Sequence, residues 1–313
     1  MLLLFVCPIV IVSFAMVSNP YLVIFLYILS GFGMAGIGMG IMHDANHSSF
    51  SKYPFINKMM ANSIYLVGAS KEIWRIQHNV LHHSFTNIEG YDDDINPPSV
   101  LRFTQNQKKR KIHKFQHLYA WLVYGLTTLS WATSKDYLHL KQFNKMGLIK
   151  NRETYKMNLL KMTISKLFFI GFVLVIPALL SGLSFGLILL SFLVMQILTG
   201  LIITLVFQAA HMVPNTIQPS LNEENGIETD RMTHQLLTTS NFSQKSGFLF
   251  WAFGGLTNQV EHHLFPHISH VHYKKLAPIV QQTANEFNIP YHIQGSFFSV
   301  IKQHFGLLKQ LGR

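Results

Sequence analysis

YLVIFLYILSGFGMAGIGMGIMHDANH, residues 21–47, runs from Tyr21 to Met42 without an acidic or basic side chain and then delivers two histidines, His43 and His47. The hydrocarbon core of a bilayer is about 30 Å thick, and a helix of about 20 apolar residues crosses it. The stretch therefore predicts a membrane span whose end carries a pair of imidazoles. Upstream, residues 1–42 contain no Asp, Glu, Lys or Arg, and Asn19-Pro20 supplies a turn, so a span over about 2–18 precedes one over about 21–42. Residues 167–222 are equally free of charge. The Ser181–Ser184 turn, with Gly182, divides that block into spans of about 166–181 and 185–210. Gly36 and Gly40 form a small-xxx-small pair that predicts close approach by a neighbouring helix.

Composition agrees with that reading. Hydrophobic residues make up 49% of the 313, charged residues only 12%, and there are 25 Phe, which excludes an ordinary soluble domain. The net charge of +11 would fit a nucleic-acid binder, but no nucleic-acid module accompanies it. The basic residues instead fall between Lys52 and Lys166 and between Arg231 and Arg313, which by the positive-inside rule marks segments 43–165 and 211–313 as cytoplasmic. Cys7 is the single cysteine, so neither a disulfide nor a thiolate metal site forms within one chain. The N-terminus lacks the basic region and cleavage site of a signal peptide. The first span is short, and an upstream cytoplasmic segment missing from this chain would account for it. The expected architecture is an all-α integral membrane protein: a single domain, 1–313, with four transmembrane helices in two hairpins and a cytoplasmic helical cap. Residues 56–69 and 117–133, apolar but short, read either as helices lying in the interface or as buried helices of soluble type.

Three histidine clusters sit beside these spans: His43 and His47 in HDANH, His78, His82 and His83 in HNVLHH, and His262 and His263 in QVEHH. On an α-helix, residues four apart share a face, so His43 with His47 and His78 with His82 can each address one site. Adjacent residues diverge by about 100°. His82 with His83, and His262 with His263, would then point at two neighbouring positions, as two metal ions require. Structural or hydrolytic zinc uses three or four ligands, fewer than this. Imidazole also suits iron, copper or nickel, so ligand chemistry alone does not name the metal. A histidine-rich metal transporter is the rival from another class, but transporters hold ions near the bilayer midplane on broken helices, whereas these histidines cluster at span ends and beyond.

MHDANHSS, WRIQHNVLHHSFTNIEGYDDDI, KFQHLYAWLVYGL, FQAAH and GGLTNQVEHHLFPHISHVHY, in that order over nearly the whole chain, resemble the membrane fatty acid desaturases. The resemblance is to the front-end, delta-6 or linoleoyl-CoA type, in which glutamine, here Gln259, replaces the first histidine of the third box. It implies two non-haem iron ions held by His43, His47, His78, His82, His83, His262 and His263. It adds His211, which taken alone reads as a span-end histidine, and it makes Gln259 a weak or water-mediated ligand. It implies O₂ as co-substrate, a fatty acyl-CoA or acyl-lipid substrate, and electrons from a separate cytochrome b5 or ferredoxin, since the chain carries neither a fused haem-binding signature nor a flavin or nicotinamide fingerprint. The Lys108–Lys111 run is a candidate docking site for that acidic partner, or simply a solvated face. An acyl hydroxylase or sphingolipid desaturase would use the same scaffold.

Histidine ligands usually give their second ring N–H to an acceptor. Asp44, Glu261 and the Asp92, Asp93, Asp94 run are candidates for that duty or plain solvated neighbours. Lys71, Trp74 and Arg75 are candidate contacts to an acyl carrier's phosphates, or interfacial side chains. The other histidines read as structural, with His267, His270 and His272 placed to support the third box.

Overall fold

The computed structural model describes residues 1–223 and 226–313. Their regular structure is helical, and the one strand-type pairing among the described residues is an isolated bridge between Asn241 and Ile293. Three helices among them are long and apolar enough to cross a membrane, Pro20–Asn46, Arg152–Leu180 and Phe185–His211, while Leu2–Phe14 is apolar but shorter. The first predicted span thus stops at Phe14 rather than residue 18, and Met16, with φ of 49°, lies in the turn that follows. The third begins at Arg152, well before residue 166. The Asn151 side chain caps it by accepting the Thr154 N–H at 2.8 Å, and Lys156 and Lys161 stay exposed on its outer face. The chain divides into two compact units, Met1–Asn46 with Tyr53–Ile76 and Leu122–Thr204, and His47–Lys52 with Gln77–Trp121 and Leu205–Arg313.

In the first unit, Leu2–Phe14 packs against Pro20–Asn46. Asn19 caps the second helix by accepting the Tyr21 and Leu22 N–H groups, with Pro20 set in the first turn where its missing N–H costs nothing. The helices meet backbone to backbone at Gly33, where a Cβ would lie 2.4 Å from Phe5 N, and Ser30 donates to Phe5 O at 2.9 Å. At Gly36 the nearest atoms, from 2.5 Å, belong instead to the flexible Met1 side chain. Pro177 in Arg152–Leu180 cannot donate to the carbonyl four residues back, which is that of Val173. Tyr27 Oη donates to it at 2.8 Å, satisfying a group that lipid could not. Lys166 turns inward: its ammonium donates to Asp136 Oδ2 at 2.7 Å, to Gly68 O at 2.9 Å and to Trp131 O, and Asp136 also accepts the Ser70 N–H at 2.8 Å. All three ammonium protons are used, as a buried charge requires.

The 117–133 stretch forms two short helices, Gln116–Gly125 and Thr127–Thr133. Within the first unit Thr128 donates to Gln196 O at 2.8 Å, and Gly200 lets Gly125 O approach to 2.6 Å from where a Cβ would stand. Leu118, Trp121, Leu122 and Leu126 remain exposed and apolar.

In the second unit, Arg231–Thr238, Gln259–Leu264 and Tyr273–Glu286 share a core of Leu236, Val260, Leu264, Val280 and Ala284. Asn241 organises the entry to Gln259–Leu264. Its Oδ1 accepts the Val260 N–H at 2.9 Å, and its Nδ2 donates to Glu261 Oε2 at 2.9 Å and to Tyr291 Oη at 2.7 Å. Asn87 ties the second histidine cluster to two later segments, since its Nδ2 lies 3.0 Å from His211 O and 3.3 Å from Thr238 O.

Candidate metal centre

The second cluster departs from α-helical geometry. Lys71–Trp74 is α-helical, but Arg75–His82 is a π-helix, and the His83 N–H donates to His78 O, five residues back, at 3.0 Å. The wider turn aligns residues five apart, so Nε2 of His78 and Nε2 of His83 stand 3.2 Å from each other. The expected i, i+4 pair, His78 and His82, stacks ring on ring with centroids 5.1 Å apart.

The neighbouring clusters close around these rings. His47 lies 5.1, 4.8 and 4.9 Å, ring centre to ring centre, from His78, His83 and His262. His82, His211 and His263 form a second group, with centroid separations of 4.8 to 4.9 Å. The ligand atoms of His47, His78 and His262 fall within 4.8 Å of one another, as do those of His82, His211 and His263, of His83, His262 and His263, and of His78, His82 and Asp94. The doubled histidines do divide: His262 faces His47 and His78, and His263 faces His82 and His211.

At His82, His211 and His263 the ring hydrogen bonds have one polarity. His82 Nδ1 lies 3.0 and 3.1 Å from the two oxygens of Asp92, His211 Nδ1 is 3.2 Å from Thr238 O, and His263 Nδ1 is 2.7 Å from Gln235 Oε1. His262 Nδ1 meets Tyr273 Oη at 3.3 Å. The Nε2 atoms of His82, His211 and His263 are buried with no hydrogen-bond partner. Three imidazoles that spend Nδ1 on protein acceptors and turn bare Nε2 atoms towards one another present lone pairs to a cation. Two imidazole nitrogens on one metal at about 2.1 Å sit roughly 3.0 to 3.4 Å apart, so the His78–His83 separation fits the same use.

Electrostatics act differently on these rings: burial favours the neutral, ligating state of His263, whereas the carboxylates beside His82 favour its protonated state. Burial, followed by the neighbouring His83, His211, His82 and His262, holds the His263 imidazole well below the ordinary range, which keeps it neutral. At His82 burial opposes charge, but Asp92 and then Asp94 prevail and lift it to about 9. Asp92, fully buried, also accepts the Asn87 and Asp94 N–H groups at 2.8 and 3.0 Å, and its carboxyl lies below the usual range because His82 and these donors outweigh burial. A cation bound here would have to displace the proton that these carboxylates favour on His82, and Asp92, bonded to Nδ1 of the same ring, would then offset the cation's charge through it.

The sequence profile of the fatty acid desaturase family matches residues 18–295. The chain belongs to that family. It is 36% identical over 300 residues to an acyl-lipid (8-3)-desaturase of Physcomitrium patens, covering 94% of this chain and 62% of the relative. It is 31% identical over 289 residues to the sn-1 linoleoyl-lipid 6-desaturase of Arthrospira platensis, covering 91% of this chain and 76% of the relative. To the enzyme of the same name from Synechocystis sp. it is 32% identical over 281 residues, covering 90% and 78%. The chain thus spans just under two thirds of the moss relative and about three quarters of the cyanobacterial two.

The remaining residues expected at a desaturase centre are distributed as follows. His43 and Asp44 belong to the first unit. Both are buried, with His43 Nδ1 3.9 Å from Asp44 Oδ1 and the His43 ring edge-on to Trp74 at 5.8 Å. Gln259 is fully buried, with neither its Oε1 nor its Nε2 bonded, one helical turn before His263 on the same short helix. Glu261 meets no imidazole among the described residues; it accepts from Asn241, Asn258 and Tyr291 at 2.9, 3.1 and 2.7 Å and anchors the helix instead. Asp94 Oδ2 stands 3.5 Å from His82 Nδ1. Lys71 donates to Asn62 Oδ1 at 2.9 Å, Trp74 is buried and Arg75 exposed. His267, expected to support the third box, bonds the first: its Nδ1 donates to His47 O at 2.9 Å.

Gln235, Thr238 and Tyr273 escaped the sequence reading. The available signal was Arg231–Thr238 itself, whose buried face carries His234, Gln235 and Thr238 beside Leu236. A polar stripe turned inward in a largely apolar chain needs partners.

Proposed function

We propose that this chain is an oxygen-dependent front-end desaturase that places a cis double bond in a lipid-linked acyl chain of linoleoyl type. The observation that carries the reading is the convergence of unpartnered Nε2 atoms from three separate segments, His82, His211 and His263, in a member of the fatty acid desaturase family. His43, His47, His78, His82, His83, His211, His262 and His263 serve as ligands to two iron ions, with Gln259 as a weak or water-mediated ligand. Bound iron would supply the oxidising power that removing hydrogen from unactivated methylenes demands. The protein's own part is orientation and exclusion of water: Asp92, Asp94 and Thr238 fix the rings, and burial of every box histidine keeps bulk water from the reacting carbons. Lys71 and Arg75 meet the polar end of the substrate.

Four membrane helices in two hairpins, counting Leu2–Phe14, put the histidines on the cytoplasmic side, with Gln116–Gly125 and Thr127–Thr133 lying in the interface through their exposed apolar residues. A separate cytochrome b5 or ferredoxin delivers electrons to that face. The names of the two cyanobacterial relatives favour a glycerolipid carrier over CoA. The test is to express the chain in a host without polyunsaturate synthesis, feed linoleate and locate double bonds by gas chromatography with mass spectrometry. A new bond between the carboxyl group and the existing ones, found in membrane lipids, is expected. A hydroxylated product, or none from a well-expressed membrane fraction supplied with an electron donor, contradicts the proposal.

A further inference from the structure

Gln235 lies on none of the histidine boxes, yet it touches two of them. It is fully buried on Arg231–Thr238; its Oε1 stands 2.7 Å from His263 Nδ1, and its Nε2 donates to the backbone carbonyl of His83 at 3.1 Å. Thr86, one turn beyond His82, completes the link: its hydroxyl is 2.7 Å from His82 O and 2.9 Å from Gln235 Oε1.

The Gln235 contacts to His83 and His263 point to one assignment of protons, with the single Thr86 proton shared between His82 O and Gln235 Oε1. A carbonyl oxygen only accepts, so His83 O selects the amide NH₂ of Gln235 and turns Oε1 towards His263. An amide oxygen also only accepts, so Nδ1 of His263 must carry the ring proton. The lone pair of that imidazole is then on Nε2, the atom that lies unpartnered beside His82 and His211. The flipped amide would set oxygen against oxygen at His83 and place the His263 proton on Nε2, facing the other imidazoles. The other rings of this trio rely on different acceptors, the Asp92 carboxylate for His82 and the Thr238 carbonyl for His211.

We infer that Gln235 is a positioning residue: it reads the backbone of the second box and sets the tautomer of a ligand in the third, so that the two boxes become competent together. This rests on the metal-centre reading above. The purified, metal-free chain of residues 1–313 in detergent is titrated with Co(II), followed by visible absorption, for wild type, Gln235→Met and Gln235→Glu. Methionine keeps the volume and removes the acceptor, whereas glutamate keeps an acceptor. Gln235→Met is expected to bind at least one equivalent about 10- to 100-fold more weakly, with Gln235→Glu, which keeps the acceptor for His263 but loses the donor to His83 O, falling between Gln235→Met and wild type. Equal affinity for Gln235→Met, or an equal loss in Gln235→Glu, overturns the inference. Nitrogen-15 shifts of the metal-free wild type give a readout independent of any variant's folding, with the His263 signals assigned by their loss in His263→Ala. Protonated Nδ1 at His263 supports the inference and protonated Nε2 overturns it. A wild type that takes up no Co(II) would remove the metal-centre reading itself, an outcome distinct from both.

Discussion

Asp92 is the residue on which the second box turns. Both of its oxygens face His82 Nδ1, and it has no exposure to water that would soften its charge. Asp92→Asn, which keeps the shape and removes the charge, is expected to weaken metal binding about 10- to 100-fold, measured by metal titration, while leaving the chain in the membrane. His304 gives a separate, pH-dependent signature. It is fully buried, its Nδ1 donates to Met212 O at 2.8 Å, and burial pushes it from 6.5 down to about 4. The unfolded chain takes up a proton below about pH 6.5 that the folded imidazole refuses until about pH 4, so stability falls as pH drops through that window, by about 3 kcal/mol. His304→Gln should flatten this part of the pH profile of thermal unfolding in detergent, and an unchanged slope would refute the assignment. At this scale the box histidines were legible because their spacing is local. Gln235 and Thr238 were not, because what they do depends on which imidazole lies opposite, a tertiary fact.

Between elements, the decisive contacts are backbone approaches and local departures from the α-helix. Gly33→Ala would put a Cβ 2.4 Å from Phe5 N, where no side-chain rotation relieves it. It should lower the thermal midpoint in detergent by separating Leu2–Phe14 from Pro20–Asn46, while Gly186→Ala, with open space around it, should not. Equal midpoints would show that the two helices are not held there. Spacing points to Gly36 and Gly40, whereas the backbone-to-backbone approach falls at Gly33; where the partner helix runs decides that, and spacing does not record it. The same limit governs the second box. An α-helical wheel predicted that His82 and His83 diverge, which they do, but missed the π-turn that brings His78 and His83 nitrogen to nitrogen. The helix ends missed by the span estimates, Phe14 and Arg152, were set by a left-handed turn residue and by an Asn cap.

For the whole molecule, charge-free blocks at 1–42 and 167–222 separated membrane helices from polar segments, and the order of the boxes carried the resemblance that the family match bears out. The architecture brings residues far apart in sequence, His82, His211 and His263, to one place, and the account stands on their binding metal for desaturation. Iron counted per chain by mass spectrometry of the purified protein, wild type beside His82→Ala, tests this most directly. Two irons are predicted for wild type, with clear loss of iron and of desaturated product in the variant while it remains in the membrane. Undiminished iron and product in His82→Ala would contradict the account.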